Sequence, residues 1–256
     1  MTEFLAGLPR HSAMAQRIVP AQVIAHRGAP RLAPENTLPS FRAAVSKGAT
    51  WLEVDVKLTR DLQPVIIHDD RVDRTTNGKG FVAAITLEDI RRLDAGYALD
   101  NTFHGVKIPT LEELIEFVIT ADIGLQLELK PTAGDDVETA EIALTQLKML
   151  WPRNRDRLFI SSFSIRSIHA ASRILPDVPR AFAVCVPPRN PTALLAETRC
   201  QLLHCIGDLL TDDAVNRLAD SGIEYAVAVV NDAVAGRRYL QRGAQSLISD
   251  IPDLLV

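Results

Sequence analysis

The chain has 256 residues, 47% of them hydrophobic, and a formal net charge of −4. That length suits one large α/β domain or two small ones, with a substantial buried core. The acidic balance and the lack of a Lys/Arg run exclude a chain-wide nucleic-acid footprint, and no apolar run reaches the ~18 residues that a membrane-spanning helix needs.

Residues 1–20 read as an extension ahead of a single unit over 21–256. MTEFLAGLPRHSAMAQRIVP has no basic start followed by an apolar stretch, so no secretory leader is expected. VIAHR (23–27) reads as a strand, TLPSFRAAVSKG (37–48) as a helix ending at Gly48, WLEVDVKL (51–58) as a strand and PVIIH (64–68) as a short apolar strand. The rhythm then breaks. Residues 70–109 hold DRTTNGKG, a helical piece around TLEDIRRLD and a Gly/Asp/Asn-rich stretch. This is too long for an ordinary connection and reads as a small inserted subdomain near the site.

Alternation resumes with helix LEELIEFVIT (111–120), strand GLQLELK (124–130) and helix VETAEIALTQLKMLW (137–151). LFISSF (158–163) is a strand and SIRSIHAASRIL (164–175) a helix. RAFAVC (180–185), QLLHCI (201–206), EYAVAVV (224–230) and QSLISD (245–250) are further strand candidates. Repeated strand–helix units imply a parallel sheet covered by helices, and eight of them would close a TIM (β/α)8 barrel. There are nine strand candidates, so one is false or lies outside the barrel, and QLLHCI fits least.

Four segments end apolar runs in ionisable groups: AHRG (25–28), LEVDV (52–56), IIHDD (66–70) and LELK (127–130). Parallel strands that end this way point to an active site at the carboxyl edge of the barrel. Glu53 and Asp55 share one face of their strand. Alone, such a pair more often than not simply faces water, but PVIIH is apolar on both faces and reads as central. A strand beside it would turn both acids inward, where they repel each other unless a divalent cation sits between them. Glu128 and Lys130 repeat the pattern, either as a plain Glu–Lys pair at a strand end or as a third oxygen ligand with a phosphate contact. An all-oxygen set favours Mg²⁺ or Ca²⁺ over zinc. His26 and His68 suit an acid–base pair, and Arg27 offers a two-pronged donor to phosphate. His11, His104, His169 and His204 lack such company. Cys185, Cys200 and Cys205 read as buried free thiols in a reducing, cytoplasmic setting, because a zinc site with His204 lacks an apparent fourth ligand.

These residues, in this order, resemble the glycerophosphodiester phosphodiesterase family. AHRGAPRLAPENT looks like its HRG…PENT opening, WLEVDVKLTRD like its E-x-D strand and PVIIHDD like its second histidine segment. DRTTNGKG, LDAG and IPTLEEL are similar to its insertion, LELK and SSFS to its next strand ends, and ISDIP to its final strand. The match runs over roughly residues 22–252. The resemblance implies a metal held by Glu53, Asp55 and Glu128, acid–base work by His26 and His68, and phosphate binding by Arg27 and Lys130. Glu35 matches a further family position, either approaching the metal or bracing the loop, and Asn36 braces it. Ala228 stands where the family often has tryptophan, which implies altered head-group choice or an aromatic elsewhere.

The expected activity is metal-dependent hydrolysis of a small glycerophosphodiester to glycerol 3-phosphate and an alcohol, through a cyclic phosphate in the family's manner. The alternatives are a phospholipase D- or C-like enzyme acting on lipids and a barrel that binds phosphodiesters without cleaving them. No basic amphipathic helix or long apolar loop favours the lipid reading, and no integral membrane association is expected. Head group, ion identity and oligomeric state are left open.

Overall fold

A computed structural model describes residues 17–97, 99 and 101–256. The strands are β1 (Val23–His26), β2 (Trp51–Leu58), β3 (Pro64–Ile66), β4 (Gly124–Leu129), β5 (Leu158–Ser162), β6 (Arg180–Val184), β7 (Leu202–Ile206), β8 (Glu224–Ala228) and β9 (Ser246–Ser249). Eight of them run parallel in the order β1-β9-β8-β7-β6-β5-β4-β2, and β1–β2 pairing closes the ring. The helices are α1 (Leu38–Ser46), α2 (Leu87–Ile90), α3 (Leu111–Thr120), α4 (Asp136–Leu150), α5 (Ile165–Ile174), α6 (Pro191–Thr198), α7 (Asp212–Ser221) and α8 (Ala233–Gln241). The result is a TIM barrel.

The strand outside the ring is not QLLHCI. That segment is β7, parallel to both β6 and β8. The outsider is PVIIH, whose first residues form β3, antiparallel to Val56–Leu58 of β2. Residues 59–63 explain this. A parallel neighbour needs a crossover of about a dozen residues or more, whereas so short a link makes a hairpin. β3 is apolar on both faces because both are covered: Val65 and the following Ile67 pack with Val72, Val82, Ile90 and Ile108 of the insertion, and Ile66 joins the core between the barrel and α3.

Glu53 and Asp55 still face the barrel interior, for a different reason from the one expected. β2 lies between β1 and β4, and its Leu52, Val54 and Val56 pack outward with residues of α3 and α4. The opposite parity must then point inward. Trp51 starts that inward row and joins Ile24, Phe159, Leu202 and Ile248 in an apolar plug near the strands' N-terminal ends. α3 starts at a capping box between Thr110 and Glu113.

Of the extension expected over 1–20, residues 1–16 lie outside the described residues, as does His11. Val19 is buried, its carbonyl accepts from Gln245 Nε2, and the Ala21 carbonyl accepts from Ser246 Oγ.

Candidate active site

At the C-terminal ends of the strands, register brings the four expected segments together. His26 pairs with Glu53, and Asp55 with Glu128. His26, Arg27, Glu53, Asp55, His68, Glu128 and Lys130 all line one cavity of about 200 Å³. Glu35 lies outside its lining.

The turn carrying Arg27 depends on Gly28. Gly28 has φ +91°, and a Cβ there would lie 2.4 Å from Ser40 Oγ and 2.7 Å from the Ser40 carbonyl carbon. Only glycine accepts both constraints without strain. The turn then folds back on α1, where the Ser40 hydroxyl accepts from the Ala29 N–H and donates to the Arg27 carbonyl.

Glu53, Asp55 and Glu128 are all buried, and each offers an oxygen within 4.8 Å of the others. Burial and then the Asp55 and Glu128 charges push the Glu53 carboxyl well above its ordinary range. Burial and Asp55 likewise raise Glu128, against the pull of Lys130. Burial would raise Asp55 too, but Arg27, Lys130, His68 and the Asn36 amide hold it below the ordinary value. Three converging acids that cannot all ionise comfortably, with only oxygen donors, fit a hard divalent ion.

Each catalytic candidate imidazole leans on a carboxylate. His26 Nδ1 donates to Asp250 Oδ1 at 2.6 Å, which leaves Nε2 on the cavity side, 3.9 Å from Glu53 Oε2. Asp250 is held in turn by Asn231, whose Nδ2 donates to Oδ2 at 2.7 Å and whose Oδ1 accepts from the Asp250 N–H. His68 Nδ1 donates to Asp69 Oδ1 at 2.7 Å. Burial first, then Arg27 and Lys130, lower the His68 pKa and favour its neutral form.

The two cationic candidates are already paired with acids. Arg27 Nη1 donates to Glu35 at 2.8 Å, and its Nε lies 3.3 Å from Asp55 Oδ2. Lys130 Nζ donates to Glu128 Oε1 at 2.8 Å and lies 3.6 Å from Asp55. Glu35 makes its contacts with Arg27 and Arg74 and does not join the acidic trio. The buried Asn36 amide bonds to Asp55 Oδ2 at 2.9 Å.

Sequence reasoning missed Asp69, Arg74 and Asp250. Arg74, from the insertion, donates to both Glu35 oxygens and both Asp69 oxygens. It thereby joins the Arg27 loop to the partner of His68. Breaking this clamp should misplace His68 without removing it. Arg74→Gln is expected to lower kcat about tenfold, the worth of roughly one charge-assisted hydrogen bond, with little change in KM. Steady-state kinetics check this, and an equal fall for Arg74→Lys would argue against a fork-specific role.

Below the ionic layer, Gln126 Nε2 reaches Ser161 Oγ and His204 Nδ1, and the His204 ring packs edge-on against Phe159. Burial lowers His204 from 6.5 to about 4. The unfolded chain therefore takes up this proton first as pH falls, and stability is lost between about 6.5 and 4. His204→Gln should remove about 3 kcal/mol of that acid lability, at ~1.4 kcal/mol per unit. Urea unfolding at neutral and acidic pH measures it, and identical pH slopes for both proteins would refute it.

Ala228 ends β8 at the cavity wall, and the aromatic ring lining the cavity is Phe163, 5.4 Å from Lys130 Nζ. Cys185, Cys200 and Cys205 are free thiols; Cys200 and Cys205 are buried as expected, but Cys185, in the segment just after β6, is exposed. Among the described residues, no helix is long and apolar enough to cross a membrane.

The chain and its fold are similar to known proteins. A glycerophosphodiester phosphodiesterase of Caldanaerobacter subterraneus is 32% identical over 235 residues, spanning 91% of this chain and 96% of that protein. The solved structure of an Oleispira antarctica phosphodiesterase in complex with the product sn-glycerol-3-phosphate superposes with a TM-score of 0.86 at 34% identity, covering 91% of this chain and 94% of that one. A glycerophosphodiester phosphodiesterase structure from Agrobacterium tumefaciens gives 0.74 at 27%, covering 91% and 97%. The model of the glycerophosphoryl diester phosphodiesterase family matches residues 26–254, a span that takes in both histidines, the acidic trio and Asp250, and the chain belongs to that family.

Proposed function

We propose that this phosphoric diester hydrolase cleaves a small glycerophosphodiester to glycerol 3-phosphate and an alcohol, using one divalent cation, Mg²⁺ or Ca²⁺. The observation that carries the reading is the convergence of three buried carboxylates, two carboxylate-oriented imidazoles, Arg27 and Lys130 on one cavity. Glu53, Asp55 and Glu128 would hold the ion. When bound, it supplies Lewis-acid polarisation of phosphate and a lowered pKa for a ligated hydroxyl.

The chain's own groups do the rest. Arg27 and Lys130 orient the phosphate and stabilise charge developing on it. The neutral His68 accepts the proton of the glycerol hydroxyl next to the phosphoester, and that oxygen attacks phosphorus. His26, held by Asp250, delivers a proton to the departing alcohol oxygen. Water then opens the cyclic phosphate with the two proton roles reversed. Glu35 braces the Arg27 loop.

We take residues 21–256, including the insertion at 70–109, as one catalytic unit. A cytoplasmic setting fits the three free thiols.

Glycerophosphocholine incubated with the full chain and Mg²⁺ tests the reaction. ³¹P NMR should show glycerol 3-phosphate. Phosphocholine as the product would place the cleavage on the wrong ester bond.

A further inference from the structure

The cavity has two chemically different walls. β1, β2 and β4 supply its ionic side. The ends of β6, β7 and β8 supply Ala183, Ile206 and Ala228, followed by Val229. The histidine on that side, His204, is buried and held neutral one layer lower. All these strands are parallel, so the loops after them open on the same barrel face. The loops after β6 and β7 expose Val186 (61%) and Leu209 (49%). A single exposed aliphatic residue needs no explanation, but two on successive loops, following strands that build an apolar wall, mark a contact surface for something apolar.

We propose that this wall is the subsite for the leaving alcohol, and that the preferred alcohol carries an apolar chain; the inference rests on the phosphodiesterase reading above. The glycerol arm must present its hydroxyl to an imidazole, which keeps it on the ionic side. The phosphate is fixed there by Arg27 and Lys130. The second ester arm then runs along Ile206 and Ala228 towards Val186 and Leu209. Asp208, exposed beside Leu209, is the feature that would instead favour a cationic arm such as choline.

The test is a substrate series on the full chain with Mg²⁺: ethyl, butyl and hexyl esters of glycerol 3-phosphate, kept below micelle-forming concentrations, beside glycerophosphocholine. Complete burial of one methylene is worth about fourfold in affinity, so partial burial predicts a rise in kcat/KM of at least about tenfold from ethyl to hexyl. Val186→Asp combined with Leu209→Asp should flatten the rise, and either single variant replaces the pair if it fails to fold. A flat series in an active enzyme would overturn the inference. So would choline outrunning hexyl, which would assign the rim to Asp208, or turnover of the longer esters only in phosphatidylcholine vesicles, which would assign it to a lipid surface. Failure to hydrolyse any member would instead strike at the phosphodiesterase reading itself.

Discussion

Alanine in place of His26 or His68 should slow turnover of glycerophosphocholine by ~10²–10⁴-fold, the usual worth of one positioned acid or base. The geometry makes this a loss of chemistry rather than of fold. Both rings are only partly buried, and each hydrogen-bonds through Nδ1 to a carboxylate at the cavity rather than packing in an apolar cluster. Circular dichroism and melting should therefore stay near wild type while kcat falls. Asp250→Asn tests the orienting contact. It keeps the size of the side chain but weakens its hold on the Nδ1 proton, so kcat should fall in the same direction as for His26→Ala. The double variant should cost little more than His26→Ala alone, because both changes act on one ring. If both single alanine variants kept near-wild-type turnover, the acid–base assignment would be wrong.

Replacing an acid of the trio has two consequences of opposite sign. Glu128→Gln and Glu53→Gln should each cut activity at least ~10²-fold, beyond the 10–100-fold typical when only an outer partner of a metal ligand is lost. EDTA should abolish wild-type activity, and Mg²⁺ or Ca²⁺ should restore it. In metal-free protein, however, Glu53→Gln should leave stability unchanged or raise it. Burial and two neighbouring carboxylates raise the Glu53 pKa in the folded state. Its ionisation therefore opposes folding, and the stability of metal-free wild type should decline as pH rises through that raised pKa. The glutamine variant has no such proton to lose. Thermal melts with and without metal separate the cases: an acid whose role is structural pairing would destabilise the fold on removal, with metal or without.

Much of this site was legible because barrel chemistry is written at strand ends. AHRG, LEVDV and LELK each close an apolar run, and period-two alternation was enough to put Glu53 and Asp55 on one face of their strand and Glu128 and Lys130 on one face of another, although the inward direction was argued from the wrong neighbour. What alternation does not give is neighbourhood. PVIIH was read as central from its apolar faces, although residues 59–63 are too few for a crossover. Asp250 follows β9 directly with the parity of the inward Ser246 and Ile248, so the rule that selected Glu128 also pointed to it. Arg74 was not readable in that way. Its role rests on Glu35, which is remote in sequence and reaches it only when the insertion folds over the Arg27 loop. Helices α6 to α8 went unnamed, although α7 is as long as α3 and α5 and α8 as long as α1. The two-sided cavity needed the closed ring, since its walls come from opposite ends of the chain.

The most direct measurement is anomalous diffraction from crystals soaked in Mn²⁺, a stand-in for the hard divalent ion. The account predicts one strong peak contacted by carboxylate oxygens of Glu53, Asp55 and Glu128 together, lost in Glu128→Gln. A peak held elsewhere, or one touching fewer than all three acids, would contradict it.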